Sequence, residues 1–166
     1  MKIHVIGYKG VVGNATMKGF QKWGHQVIGT EKGDNPAAVS ARLHFVCTPE
    51  EVAPEVVRQL AQRPAEEDIV IRSTVPPGTT EGLSQELRRD LYHNPEYLRE
   101  KSAEEDFLTR PYAIIGCTAE FREGPFEVEE AYHLGGVTCH FTDSTTSELV
   151  KLLTNAHLAT LISFWI

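Results

Sequence analysis

Ile3-His4-Val5-Ile6-Gly7-Tyr8-Lys9-Gly10-Val11-Val12-Gly13 is the stretch on which the reading of this chain turns. Four residues of strand character run into three glycines, and Asn14 to Trp23 follows with helical spacing. A strand that breaks into glycines and turns directly into a helix leaves unpaired backbone N–H groups at the helix start. Those groups and the helix dipole form a seat for a phosphate. The glycines permit the tight turn, the close approach of a pyrophosphate and the packing of helix on strand. Gly7, Gly10, Val11, Val12 and Gly13 are therefore the candidate residues for a dinucleotide. The spacing is G-x-x-G-x-x-G, one residue longer than the usual G-x-G-x-x-G, and glycine-rich strand-to-helix turns also occur in other α/β proteins. Glu31 adds weight, because it ends the next apolar strand, Gln26-Val27-Ile28-Gly29-Thr30. An acidic residue about 20 positions on is where a ribose diol is gripped.

The 166 residues suit one domain with a real core, and 41% apolar with 23% charged residues are ordinary globular values. A net charge of −7 with no basic cluster argues against a nucleic-acid surface. No uninterrupted apolar run of ~18 residues suggests a membrane span, and the strand-like start does not resemble a secretory leader. Cys47, Cys117 and Cys139 are odd in number and scattered, which fits reduced thiols in a cytoplasm. Neither they nor the seven histidines have metal-ligand spacing, so no metal is expected.

Leu43 to Cys47, Asp68 to Arg72, Leu91 to His93, Tyr112 to Ile115 and Val137 to Phe141 read as further strands. Thr48-Pro49-Glu50-Glu51 reads as a helix start, with Thr48 as cap and Glu51 closing a capping box. Helices are expected again from Thr80 to about Arg89, from Pro125 to His133, and from Thr145 to Ile166, where Glu148 completes a second box on Thr145. Alternation of strands and helices predicts an α/β fold with a doubly wound parallel sheet. Only about a dozen residues join the second and third strands, near the minimum for a crossover. The expectation is a trimmed Rossmann-type sheet over residues 1–143, rather than the full six-strand double unit, followed by a long C-terminal helix over 144–166.

Several stretches point together to one family. They are the glycine turn, Gly24-His25, Thr48-Pro49, Ser73-Thr74-Val75-Pro76-Pro77-Gly78-Thr79 and Asn94-Pro95-Glu96-Tyr97-Leu98-Arg99-Glu100. The last is Glu148-x-x-Lys151-x-x-x-Asn155 running on to Ile162-Ser163-Phe164. In this order they resemble the N-terminal half of the UDP-glucose/GDP-mannose dehydrogenases. The resemblance covers nearly the whole chain. It departs in the longer glycine turn, the short segment after Glu31, and Arg72 where a lysine usually precedes Ser-Thr. The family's second half, with its nucleophilic cysteine and most of the nucleotide-sugar site, has no counterpart here. The resemblance implies NAD as cofactor and oxidation of a sugar's primary alcohol to a carboxylate. It also implies a nucleotide-sugar substrate, with the missing half either lost by truncation or supplied by a second chain.

Lys151 and Asn155, four apart on a helix, project from one face and are suited to stabilising an oxyanion. The same spacing serves an ordinary solvated face. Glu96 and Glu100 share a face if their segment is helical, as a proton-transfer pair or an ordinary helix start. Thr74 lies at a strand's carboxyl end, where α/β ligand crevices form, and Thr48 faces the nicotinamide ribose in the same reading. Cys47 falls near that crevice, with no neighbour in sequence to lower its pKa. Two rivals remain: a small hydroxyacid-type dehydrogenase, against which Pro95 to Glu100 speaks, and a non-catalytic dinucleotide-binding remnant. The last helix is apolar on most sides, which predicts a homodimer built around Asn155 to Ile166.

Overall fold

The computed structural model describes residues 1–118 and 125–164. In chain order the elements are β1 (Lys2–Ile6), α1 (Val11–Lys22), β2 (Gln26–Thr30), β3 (Leu43–Val46) and α2 (Ala53–Leu60). Then come β4 (Asp68–Ile71), α3 (Thr79–Leu87), β5 (Tyr92–His93), α4 (Ala103–Thr109) and β6 (Tyr112–Cys117). α5 (Phe126–His133), β7 (Thr138–Asp143) and α6 (Ser144–Phe164) complete it. The strands form one sheet in the order β2-β1-β3-β4-β5-β6-β7. Every neighbouring pair is parallel except β5 and β6. This is the Rossmann-type arrangement followed by a long helix. The trimming lies in the β2–β3 crossover, where a single 3-10 turn over Pro36–Ala38 replaces a helix, and not in the number of strands.

The central strands are buried on both faces, as their near-continuous apolar runs require. Ile3, Val5, Phe45 and Val70 face α1, α4 and α5 through Phe20, Phe107 and Tyr132. Ile6, Val46, Ile69 and Ile71 face α2 and α3 through Val57, Leu60 and Leu83. The second face also buries two histidines completely, His4 and His44. Their rings meet Nδ1 to Nδ1 at 3.0 Å, while His4 Nε2 meets Thr30 Oγ1 at 2.7 Å and His44 Nε2 meets Glu67 Oε2 at 2.9 Å. With both rings neutral, one donor order satisfies every atom: Thr30 hydroxyl to His4, His4 to His44, His44 to Glu67. Glu67 in turn accepts from Arg63 and Ser40.

Two expected local structures, and one considered only conditionally, form differently. The cap at Thr48 is absent: residues 49–52 make a turn on the Pro49 carbonyl, and α2 begins only at Ala53 with Pro54 in its first turn. Glu148 does not close a box on Thr145. Asp143 caps α6 by accepting from the Thr146 amide at 2.7 Å. Glu148, fully buried, reaches the start of α3 instead and accepts from the Gly78 and Thr80 amides and the Thr80 hydroxyl at 2.6 to 2.8 Å. A carboxylate among orphan N–H groups at a helix start is a strong anchor. Finally, residues 94–99 are irregular rather than helical; a 3-10 turn over Glu100–Ser102 leads into α4. Trp165 and Ile166, both expected in the dimer contact, lie outside the described residues.

Candidate functional site

The glycine turn is built by close backbone contacts. Gly7 leaves β1 at φ +84°, and a Cβ on Gly13 would fall 2.1 Å from the Gly7 carbonyl oxygen. α1 is therefore pressed directly onto the turn. Gly10 precedes the helix without a side-chain cap, and no acidic residue stands in the first turn. The first internal bond runs from the Asn14 amide to the Gly10 carbonyl, leaving the amides at the helix start for an anion. The extra residue of the turn is absorbed by Tyr8 and Lys9. Tyr8 lies on Gly29, where a Cβ would come within 2.5 Å of its ring. The Lys9 amide donates to Glu31 Oε1. Glu31 thus stands beside the turn, with one carboxylate oxygen committed to it.

A cleft of about 260 Å³ opens at the carboxyl ends of β3 and β4, beside Val12 of α1. Cys47, Thr48, Ser73, Thr74 and Glu96 line it, and Arg72 forms part of its floor. The Ser73 hydroxyl donates to the Thr48 carbonyl at 2.6 Å, while Thr48 Oγ1 is buried without a partner among the described residues. Glu96 accepts from the Leu98 amide at 2.7 Å and pairs with Lys151 Nζ at 3.1 Å. Lys151, only 5% exposed, also donates to the Glu96 carbonyl and lies 5.2 Å from the centre of the Tyr97 ring.

The structure places Thr48, Thr74 and Glu96 on this cleft and pairs Lys151 with Glu96. It does not gather Glu100 and Asn155. Glu100 lines a separate, wider cleft of about 740 Å³ on the other side of the glycine turn, with Lys9, Gly10 and Asn14. The irregular backbone from 94 to 99 therefore does not give Glu96 and Glu100 the common face that a helix would. Asn155 is on the Lys151 side of α6, but the helix has left the body of the domain by that point and Asn155 is exposed. None of the thiols is activated: burial pushes Cys47 and Cys117 up to about 11 and Cys139 up to about 12. Among the described residues no cluster of three His, Cys, Asp or Glu is arranged for a metal ion.

Arg72 carries more of the site than its place in a sequence motif suggested. It is 1% exposed, donates to Asn94 Oδ1 and to the Tyr132 hydroxyl (2.7 Å), and lies against the rings of Phe45 and Phe107. The sequence signal is an arginine directly continuing a buried strand, Ile69-Val70-Ile71. Its partners, 22 and 60 residues away, carry no local signature.

This chain is 41% identical over 102 residues to the UDP-glucose 6-dehydrogenase of Rickettsia conorii, covering 58% of this chain and 23% of that protein. It superposes on a UDP-glucose dehydrogenase from Pyrobaculum islandicum with a TM-score of 0.78 and 26% identity, over 98% of this chain and 51% of the other. The UDP-D-ManNAc dehydrogenase of Pyrococcus horikoshii, at 20% identity and a TM-score of 0.80 over 93% of this chain and 50% of the other, shares the fold. The chain thus spans about a quarter of the length of the curated relative and about half that of the solved chains. Among the described residues no helix is long and apolar enough to cross a membrane. The model of the UDP-glucose/GDP-mannose dehydrogenase family's NAD-binding domain matches residues 48–133, from the turn after β3 to the end of α5. A strand-glycine-helix turn with an acid at the end of β2, and a cleft lined from that matched segment, are what such a domain needs, and the chain belongs to this family as its NAD-binding domain.

Proposed function

We propose that this chain is the cofactor-holding part of a UDP-glucose-type 6-dehydrogenase, a system that oxidises the primary alcohol of a nucleotide sugar with NAD. Residues 1–143 hold the dinucleotide and residues 144–166 begin a connecting and dimerising helix. Gly7, Gly10, Val11, Val12 and Gly13 receive the pyrophosphate, Glu31 the adenosine ribose, and Thr48 and Thr74 the nicotinamide half. The observation that carries the reading is the pairing of Lys151 with Glu96, a residue lining the cleft, from segments 55 residues apart. An ammonium and a carboxylate so placed can stabilise a developing alkoxide and move its proton or orient a water.

Asn155 and Glu100 stand outside the cleft, and the thiols are held protonated by burial. These observations support a narrower statement about the chain by itself: it binds NAD without completing the oxidation. A thiolate is needed to trap the aldehyde before the second hydride leaves. In this reading that thiol and the other wall of the substrate pocket come from outside these 166 residues, and the protein works in the cytoplasm. Binding without any turnover remains the second reading, favoured by the same exposed Asn155. Calorimetry with NAD, followed by absorbance of NADH after adding UDP-glucose, tests both. NAD binding with uronate formed only after a cysteine-bearing partner is added is the expected result. Steady NADH production by the chain alone would refute the narrower statement.

A further inference from the structure

Among the described residues Arg72 is a buried cation without a counterion. Its two acceptors, Asn94 Oδ1 and the Tyr132 hydroxyl, are neutral, and its Nε and Nη2 have no partner among the described residues. The rings of Phe45 and Phe107 lie 6.0 and 5.6 Å from the guanidinium. Arg110 leans on the same Phe107 ring at 5.2 Å and adds a second positive charge. Two carboxylates line the cleft: Lys151 already holds Glu96, and Glu50 is exposed. Among the described residues neither acid pairs with Arg72 or Arg110, in a chain whose net charge is −7. A guanidinium does not shed its proton in a protein, so burial leaves the charge in place and in a medium that screens it poorly. Leaving a buried charge uncompensated is costly, and packing alone does not require one here.

Position gives the charge a use. β2 and Glu31 lie on one side of β1, so the adenosine half of a dinucleotide seated on α1 belongs there. The nicotinamide half then belongs on the β3–β4 side, in the cleft that Arg72 floors. The oxidised nicotinamide ring carries a formal positive charge and the reduced ring carries none. We propose that the guanidinium of Arg72 sets the cleft's preference for reduced over oxidised NAD, by repelling the pyridinium and not the neutral ring. This rests on the assignment of that cleft to the nicotinamide half. In an enzyme of this class such a bias favours hydride acceptance and slows release of the reduced cofactor.

The test is titration of NADH and of NAD, by calorimetry or by quenching of Trp23 fluorescence, against the wild-type chain, Arg72→Lys and Arg72→Gln. The wild type is expected to bind NADH at least about tenfold more tightly than NAD, ~1.4 kcal/mol. Arg72→Lys keeps the charge and should keep most of that ratio, whereas Arg72→Gln should reduce it to about threefold or less. An unchanged ratio in Arg72→Gln overturns the proposal, as does Arg72→Lys behaving like Arg72→Gln. Should Arg72→Gln not fold, a wild-type ratio near one, or loss of the ratio in a folded Arg72→Lys, overturns it by itself. Failure of the wild type to bind either form instead removes the assignment of the cleft on which the proposal stands.

Discussion

The two faces of this sheet bury polar groups in opposite ways. On the α2–α3 face, Thr30, His4, His44, Glu67 and Arg63 form one chain of donors and acceptors that ends in a carboxylate and its cation. Glu148 on the same side is matched just as fully by α3. On the α1–α4–α5 face, Arg72 finds only neutral oxygens and ring faces. A closed network fixes a fold and leaves no field behind. An open one leaves a net charge, and here it lies beneath the cleft at the ends of β3 and β4. The comparison separates polar burial that serves architecture from polar burial that serves chemistry.

The largest expected effect comes from breaking the closed side. Glu148→Ala strands the buried Thr80 amide and the half-buried Gly78 amide at the start of α3, and should lower unfolding free energy by about 3 kcal/mol in urea melts. Acid titration sharpens the same point. Burial, then the facing His44, depresses the His4 imidazole from its usual 6.5 to about 3; His44 is also lowered, chiefly by burial. Lys2, Arg63 and Arg89 push the two rings the same way, and Glu67 opposes them. The unfolded chain therefore binds these protons more readily. The stabilisation is complete above pH 6.5 and is lost as pH falls from there towards 3. Glu67, held near 2 first by Arg63, loses its share only between its ordinary 4.5 and about 2. His4→Gln should remove up to one proton's worth of slope between pH 6 and 4, about 1.4 kcal/mol per pH unit. Stability curves of the variant and wild type that remain parallel across that range would show that His4 is not responsible.

On the open side, Glu31→Ala should weaken NAD about threefold to tenfold while NADP binding is unchanged or improved, because a carboxylate repels a 2′-phosphate. Lys32 next to it softens that repulsion. Equal affinity of the wild type for both cofactors would contradict the role given to Glu31. The smallest effect on stability is expected outside both networks. Leu158 and Leu161 are about half exposed on α6, so Leu158→Glu with Leu161→Glu should shift unfolding by no more than about 0.5 kcal/mol. The same pair should convert a dimer to a monomer in light scattering. A wild type that is monomeric at every concentration would end the dimer proposal.

Local patterns in the sequence revealed most of the frame. The seven strands follow from short apolar runs bounded by turns, and the glycine turn from its own spacing. What escaped notice depends on distant partners. α4 is short and amphipathic, with three acids in its first turn, and follows a segment whose Pro-Glu-x-x-x-Glu spacing imitates a helix start. Glu148 sits three residues after Thr145, as a capping box requires, yet two better-aligned amides on α3 claimed it. Lys151 was legible as a site residue, but its pairing with Glu96 was not, because residues 94–99 have no period to announce their path. Arg72 was visible as an unusual residue in a motif; its burial among Phe45, Phe107 and Tyr132 was a property of three separate elements.

The two anchors of α6 also make it a mechanical element. Glu148 and Lys151, one turn apart on the helix, are fastened to the start of α3 and to the Glu96 segment. Beyond them the rod runs from Leu152 to Phe164, 13 residues or about 20 Å. Its apolar side chains stand largely in solvent: Leu153, Ile162 and Phe164 are 60%, 62% and 87% exposed. The anchors lie about 4.5 Å apart along the axis, so the outer arm is roughly four times longer than the span that holds it. A displacement at the tip therefore reaches the inner end reduced about fourfold, and a load there arrives multiplied by the same factor. Whatever grips the outer arm pulls on Lys151 and, through it, on Glu96 in the wall of the cleft, and does so without touching the cleft itself.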